Sequence, residues 1–120
     1  MGDLTKNFSR YEFQCKCGCG YDQIKPSIVY ALQIIRDHFD ASVPISSGCR
    51  CGKHNTNEGG HVNSKHLFGL AADFTVSGVT PKDVADFIEG YFGGNNGLGR
   101  YTNFTHFNTT GNRRARWGHN

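Results

Sequence analysis

The segment Ser64–Asp73 constrains the fold of this chain most, and its sequence is SKHLFGLAAD. The residues after Gly69 are mostly small, aromatic or β-branched and predict a short strand, in which side chains alternate between two faces. The alternation places Asp73 on the face opposite Phe74 and Val76. Because burial of an unpaired carboxylate is costly, Asp73 must be paired, hydrogen-bonded or bound to a metal ion.

Two histidines make a metal ion the favoured partner of Asp73. His66 precedes Asp73 in the same segment, and His106 lies in a second β-like run, Asn103–Asn108, which is rich in Phe and Thr. Two such strands, paired side by side, would present Asp73 and His106 on one face. Imidazole and carboxylate are good zinc ligands, and catalytic zinc sites usually take three protein ligands and leave a position for water. We therefore predict that His66, Asp73 and His106 bind one Zn²⁺.

These residues belong to a longer pattern that resembles the M15 metallopeptidases, the family of D-alanyl-D-alanine carboxypeptidases and phage endolysins. The pattern also includes a tail with arginine and tryptophan, and its numbered elements are Ile45-Ser46-Ser47-Gly48-Cys49-Arg50-Cys51, His54-Asn55, Gly59-Gly60, Ser64-x-His66-x-x-Gly69-x-Ala71-x-Asp73 and Phe104-x-His106. The resemblance implies an α+β fold, shared with lysostaphin-like enzymes and the hedgehog signalling domain. In that fold a small antiparallel sheet carries two main helices.

The resemblance also implies a reaction and a role for Arg50. In the family, the arginine of the Ser-Gly-x-Arg element lies in the active-site cleft, and its planar fork of donors suits a carboxylate or a carbonyl oxygen. Arg50 and Ser64 are therefore the predicted substrate-binding residues, and Arg50 is also expected to steady the developing oxyanion. The implied reaction is hydrolysis of an amide bond in a peptidoglycan stem peptide, at either the D-Ala-D-Ala terminus or the L-Ala-D-Glu link.

The general base does not follow from the resemblance. The positions where relatives carry this base hold Asn103, Phe104 and Asn108 here, and an amide cannot act as a base near neutral pH. If no other residue takes the role, the chain would be either a slow enzyme or a catalytically silent module, stabilised by zinc, that binds the cell wall or serves in a phage structure.

His61 is the predicted substitute for the missing base. It follows the flexible pair Gly59-Gly60, and an unperturbed histidine pKa of about 6.5 suits proton transfer near neutrality. Glu58 is the competing candidate, while His54 is expected to order the loop by hydrogen bonding.

The length of 120 residues fits one domain, residues 1–120. Residues 1–24 are expected to form an irregular arm, rich in Cys and Gly towards its end, that lies on the surface of the core. The polar, Gly-rich segment 51–63 predicts a loop that leads to the metal-binding segment.

Two helices are predicted from their apolar faces. The first begins at Pro26, and its apolar face comprises Ile28, Leu32, Ile35 and Phe39. The second opens with Thr80 as its N-cap, and its apolar face comprises Val84, Phe87, Ile88 and Tyr91.

Five cysteines form two clusters, Cys15-x-Cys17-x-Cys19 and Cys49-x-Cys51. Because their number is odd, at least one cannot form an intramolecular disulfide. The spacing differs from the Cys-x-x-Cys of ribbon-type zinc sites, and the sequence leaves open reduced thiols, disulfides between the clusters and a second, structural metal.

The formal net charge of +3 is a mild basic bias, which fits a polyanionic partner such as a cell wall. The basic tail Asn112–Trp117 has only three arginines, so nucleic acid is not the expected partner. The N-terminal residues lack the apolar core of a secretory signal, and no stretch reaches transmembrane length. We therefore expect a monomeric phage or bacterial protein that is made in the cytoplasm, does not bind a membrane, and reaches the wall by delivery or release.

Overall fold

The computed structural model describes residues 2–109 and 113–118. Within these residues it has three α-helices and five strands, namely α1 (Pro26–Phe39), α2 (Gly52–Asn57), α3 (Pro81–Tyr91), β1 (Ile45–Ser47), β2 (Ala71–Phe74), β3 (Gly97–Arg100), β4 (Thr105–Asn108) and β5 (Ala115–Gly118). Two short 3₁₀ helices, Arg10–Phe13 and Lys65–Phe68, precede α1 and β2. The predicted α+β fold is confirmed.

The five strands form one sheet in the order β1-β2-β4-β3-β5. Neighbouring strands are antiparallel except β3 and β5, which run parallel. In the central pair, β2 and β4, Asp73 lies opposite His106. The sheet therefore brings together two residues that are 33 positions apart in the sequence.

Helices α1 and α3 pack on the sheet through the predicted faces. Ile28, Leu32 and Ile35 of α1 are fully buried, as is Ile88 of α3. The hydroxyl of the Thr80 N-cap accepts the backbone N–H of Asp83 at 3.2 Å, as expected for a helix start.

Tyr91 departs from the predicted apolar face. It is 60% exposed in the last turn of α3, where its ring lies against Phe87 and Phe92. The prediction that Tyr91 faces the core was wrong, because Tyr91 is the last residue of α3 and its ring lies on the neighbouring rings, open to solvent.

The N-terminal arm contributes to the core instead of only covering it. Phe8 and Phe13 are 2% and 0% exposed, and the carbonyl of Phe13 accepts the backbone N–H of Cys49 at 2.8 Å. Burial of each phenyl ring contributes about 1.5–3 kcal/mol, so these residues anchor the arm. The expectation that the arm lies on the surface of the core was wrong for these two phenylalanines. It holds for residues 16–20, which are exposed.

The segment expected to be a loop, residues 51–63, contains the short helix α2. Its start is capped by Cys51, whose sulfur accepts the backbone N–H of His54 at 3.4 Å. The helix stops before Gly59, which has a left-handed φ of 70°. The loop prediction was therefore wrong for Gly52–Asn57, where the polar composition gave no apolar periodicity from which the short capped helix could be predicted.

The basic tail forms β5 at the sheet edge. Arg114 and Arg116 both form ion pairs with Glu89 of α3, at 2.8 and 2.7 Å. Asn112, which was included in the predicted tail, lies outside the described residues. Among the described residues, no helix has the length and apolar character needed to cross a membrane.

Candidate metal centre

The three predicted metal ligands meet at one end of the β2 and β4 pair. Asp73 and His106 are opposite each other in the antiparallel register, and His66 comes from the 3₁₀ helix that leads into β2. This helix starts with Ser64, whose hydroxyl accepts the N–H of His66 at 3.2 Å, and ends at Gly69. Gly69 has a φ of 69°, and a side chain there would overlap the carbonyl of Gln23, so the position requires glycine.

The distances between the ligand atoms suit a small metal ion. Nε2 of His66 lies 3.2 Å from Oδ1 of Asp73, and Nδ1 of His106 lies 2.7 Å from the same oxygen. Ligand atoms from all three residues lie within 4.8 Å of one another. Tetrahedral zinc with bonds of about 2.0–2.1 Å has ligand atoms roughly 3.3 Å apart, close to the first distance.

His66 is held in the tautomer that a metal ligand needs. Its Nδ1 lies 2.7 Å from the carbonyl of Gly48, which can only accept, so Nδ1 carries the proton. Nε2 then has a free lone pair, and it is buried without a hydrogen-bond partner among the described residues. Buried polar atoms normally have a partner, and a histidine that donates through its other nitrogen to a carbonyl is typical of metal sites.

Asn108 supports His106. Its amide nitrogen lies 3.0 Å from Nε2 of His106, while Nδ1 of the same ring faces Asp73. Because an amide has both a donor and an acceptor, Asn108 can support either tautomer, including one with Nδ1 free for a metal. Asn108 packs against Gly97, where a Cβ would overlap its amide.

The charge states of the site also suit a metal. Burial alone would raise the pKa of the Asp73 carboxyl, but the nearby imidazoles of His106 and His66 outweigh it and hold that pKa below its usual range. Burial lowers the pKa of His106, an effect that the Asp73 carboxylate only partly opposes. At neutral pH these shifts favour a carboxylate at Asp73 and a neutral imidazole at His106, which are the ligand forms that metals bind.

Arg50 contacts the centre through the carboxylate oxygen of Asp73 that does not face the histidines. Its Nη2 lies 3.2 Å from Oδ2 of Asp73, its Nε donates to the hydroxyl of Ser47 at 2.9 Å, and its Nη1 donates to Oδ1 of Asn55 at 3.2 Å. A guanidinium has five N–H groups, so these contacts fix its plane and leave two for another ligand. The guanidinium is thus a preorganised cationic donor beside the metal site.

The centre opens into a cleft of about 790 Å³. The cleft is lined by the three candidate ligands and by Arg50, Glu58, Gly59, Gly60, His61, Asn63, Ser64, Lys65, Tyr101, Phe104, Asn108, Arg113, Ala115 and Trp117. The predicted substrate-binding residues Arg50 and Ser64 therefore face the same space as the candidate metal ligands.

Comparison with known proteins identifies the family. The sequence model of the family described as Peptidase M15 matches residues 6–108 of this chain. The chain belongs to the M15 peptidases. Membership implies a metallopeptidase, and the matched region contains His66, Asp73, His106 and Arg50. Among curated proteins, no sequence matches this chain.

The candidates for the base of this M15 peptidase lie along the cleft. His61 and Glu58 both line it, whereas His54 does not and instead donates its backbone N–H to Cys51. Asn55 connects this loop to Arg50, because its Nδ2 donates to the carbonyl of His61 at 2.9 Å while its Oδ1 accepts from Arg50.

Two supporting side chains were not assigned from the sequence. Asn108 was considered only as the residue in the place of a base, yet it contacts His106 directly. The ring of Trp117 on β5 lies 5.1 Å from that of His106, and its Nε1 donates to the hydroxyl of Tyr101 at 2.8 Å. Trp117 could have been found from the sequence because it belongs to the tail of the family pattern. Asn108 could have been found because it stands where relatives carry an acid.

Proposed function

We propose that this M15 peptidase binds one Zn²⁺ through His66, Asp73 and His106 and hydrolyses an amide bond in peptidoglycan stem peptides. The observation that carries the proposal is the buried lone pair of His66 Nε2, which lies 3.2 Å from Asp73 Oδ1 and belongs to a residue that lines the cleft. Two imidazoles and one carboxylate form a ligand set that zinc uses in catalytic sites. When bound, zinc lowers the pKa of a coordinated water and polarises a carbonyl.

Arg50 orients the substrate in this proposal. Its three contacts fix the plane of the guanidinium, and the two remaining N–H groups can bind a carbonyl or carboxylate oxygen of the peptide. Such a donor, already in place before the reaction, stabilises charge that develops on the scissile carbonyl.

The charge and shape of the cleft support an anionic peptide as the substrate class. Lys65 and Arg113 line the cleft together with Arg50, and stem peptides carry free carboxylates. Tyr101 and Phe104 provide an aromatic part of the lining, with their rings stacked at a centroid distance of 4.3 Å. A cleft with cations and aromatic rings can hold a short peptide by its carboxylates and its apolar side chains.

His61 remains the predicted general base, with Glu58 as its competitor. Nδ1 of His61 accepts the backbone N–H of Asn63 at 3.0 Å, so the proton of the neutral ring is on Nε2. His61 must therefore give up this hydrogen bond or change tautomer before it takes a proton from water. The carboxylate of Glu58 needs no such change, which makes the comparison of the two variants informative.

A second candidate function is a catalytically silent module that keeps zinc for stability and binds the cell wall or a phage structure. It is favoured by Asn103 and Asn108, the amides in places where relatives carry an acid. Asn108 is moreover engaged with His106. In either case we propose a monomer that is made in the cytoplasm and reaches the wall by delivery or release.

Hydrolysis of purified stem peptides separates the two functions. We expect release of D-Ala from a pentapeptide, or cleavage of the L-Ala-D-Glu link, that a chelator abolishes and Zn²⁺ restores. His66→Ala should remove both the activity and the zinc of this site, whereas His38→Ala on α1 should change neither. A protein that binds zinc through His66 but releases no product from any stem peptide would establish the silent module.

A further inference from the structure

Four of the five cysteines converge in space, outside the cleft. Cys15, Cys17 and Cys19 come from the N-terminal arm, and Cys51 comes from the cap of α2. Their sulfur atoms all lie within 4.8 Å of one another. The fifth, Cys49, is not part of this group and is buried in the hydrophobic core.

The spacing of the sulfur atoms is that of a metal-thiolate site. Sγ of Cys17 lies 3.4 Å from that of Cys15 and 3.6 Å from that of Cys51. In a tetrahedral Cys₄ zinc site, with Zn–S bonds of about 2.3 Å, the sulfur atoms are roughly 3.8 Å apart. These two separations are therefore close to the edges of such a tetrahedron, and Cys17 approaches sulfurs from both parts of the chain.

Hydrophobic packing does not account for the cluster. Cys17 and Cys19 are exposed and Cys51 is half-buried, so only Cys15 behaves as a core residue. The structure shows all five cysteines as free, and Sγ of Cys15 and Cys17 are 3.4 Å apart instead of the roughly 2.05 Å of a disulfide. Four thiols that face one point near the surface instead match the ligand set of a structural zinc site.

The backbone around the cluster is arranged as a binding loop. Residues 15–20 carry no large apolar side chain, and the loop closes on itself by a hydrogen bond from Cys15 N–H to the carbonyl of Tyr21 at 2.7 Å. Gly18 and Gly20 adopt φ values of 85° and 93°, which other residues rarely take. Ordering two glycines costs conformational entropy that this loop cannot recover from apolar burial, so another interaction must hold it.

Backbone amides also reach two of the sulfur atoms. The N–H of Cys51 donates to Sγ of Cys15 at 3.4 Å, and that of His54 donates to Sγ of Cys51 at 3.4 Å. Donors of this kind stabilise thiolates and fix the direction of metal ligands.

We propose that Cys15, Cys17, Cys19 and Cys51 form a second, structural zinc site, separate from the catalytic centre. Binding of Zn²⁺ displaces the protons of the thiols and gives a Zn(Cys)₄ centre. The site joins residues 34 positions apart and ties the N-terminal arm to the start of α2. It therefore substitutes for the packing that the arm lacks between Cys15 and Gly20.

The site also anchors the residue that contacts Asp73. Three successive backbone N–H groups of one loop form hydrogen bonds. The N–H of Cys49 donates to the carbonyl of Phe13, and that of Arg50 donates to the carbonyl of His66 at 3.0 Å. The N–H of Cys51 donates to Sγ of Cys15. Because Cys51 follows Arg50 directly, the proposed site holds one end of the short segment that positions the guanidinium. The proposal does not depend on peptidase activity.

Metal analysis with paired variants tests this site. The purified full-length protein should contain about two equivalents of zinc. Cys17→Ser, which changes an exposed side chain, and His66→Ala should each contain about one. Cys49→Ala is the matched control, since it removes the cysteine outside the cluster, and should keep both.

Cobalt substitution of the unmutated protein gives a readout that does not need a variant to fold. Co²⁺ at four thiolates produces intense sulfur-to-metal charge-transfer absorption, which the unmutated protein should show. The absorption should persist in His66→Ala and weaken in Cys17→Ser. Titration of the denatured, unreduced protein should find all five thiols. A single zinc lost in His66→Ala and kept in Cys17→Ser would overturn the proposal, and so would a thiol count of three or fewer, which indicates a disulfide.

Discussion

Oδ2 of Asp73 lies 3.2 Å from Nη2 of Arg50, while Oδ1 of the same carboxylate faces both histidines. One carboxylate thus connects the predicted metal ligands to the predicted substrate-binding residue. The pair is almost buried, with side chains 12% and 11% exposed, so the interaction is little screened by solvent. Arg50 therefore has two roles in this account, as a donor towards the cleft and as a support for the Asp73 ligand.

Replacement of Arg50 tests the two roles together. We expect Arg50→Ala to retain zinc at stoichiometric concentration but to reduce kcat by about 10²–10³, the usual cost of losing one donor to a developing oxyanion. Zinc affinity should fall by about tenfold, because Asp73 loses a supporting contact. Steady-state kinetics and a competition titration for zinc measure these effects.

Arg50→Lys should recover little activity, because a point charge does not reproduce the planar fork. Arg36→Ala on α1 is the control, since it removes a surface arginine remote from the cleft. Unchanged turnover in Arg50→Ala would contradict the assigned role.

Asn108 should affect the affinity for zinc although it is not a metal ligand. We expect Asn108→Ala to weaken zinc binding at the His66, Asp73 and His106 site by about 10–100-fold, because His106 loses the contact that orients its ring. Circular dichroism should show an intact fold. The exposed Asn103 provides the control, and equal zinc affinities for Asn103→Ala and Asn108→Ala would exclude the supporting role.

The lowered pKa of Glu89 predicts how the stability of the fold depends on pH. Hydrogen bonding to Arg116, followed by that to Arg114, lowers the pKa of Glu89 to about 2. Because the folded-state pKa is below the unfolded value of about 4.3, the contribution of Glu89 to stability is present above about pH 4.3 and is lost as the pH falls towards 2. The ion pairs that tie β5 to α3 should therefore weaken over this range.

The sole tryptophan, Trp117, lies on β5 and reports this event by fluorescence. Acid titration should change its emission between about pH 4.3 and 2, and Glu89→Gln should remove that part of the change. A transition of the same size in Glu89→Gln would show that another group controls the strand. The surface position of the pair predicts that added salt weakens the effect.

The base is tested by His61→Ala and Glu58→Gln. Loss of the general base should reduce kcat by about a hundredfold or more while zinc remains bound. We expect this loss in His61→Ala, and a loss confined to Glu58→Gln would transfer the role to the carboxylate. Full activity in both variants would show that neither residue is the base.

The sequence predicted the parts of the fold that depend on local patterns. Helices α1 and α3 follow from their apolar spacing and N-terminal signals, and the alternation after Gly69 placed Asp73 on a strand face. The family pattern brought His66 and His106 to the same carboxylate. The helices and the strand face depend on periodicity and turn chemistry, which a single sequence displays, whereas the ligand set also depended on the resemblance to the family.

The remainder depends on contacts between distant segments. Burial of Phe8 and Phe13 could not be read from an arm without periodicity, and the convergence of Cys51 with the arm depends on a loop conformation set by Gly18 and Gly20. The support of His106 by Asn108 likewise arises from a strand pairing that places Gly97 behind the amide. Such relationships are visible only in three dimensions.

Zinc-edge anomalous diffraction from a crystal of the zinc-loaded protein locates the metal directly. We expect an anomalous peak bonded to Nε2 of His66, Oδ1 of Asp73 and Nδ1 of His106, with bonds of about 2.0–2.2 Å and an open fourth position towards the cleft. A fully zinc-loaded crystal with no peak between these three residues would show that they are not the zinc ligands.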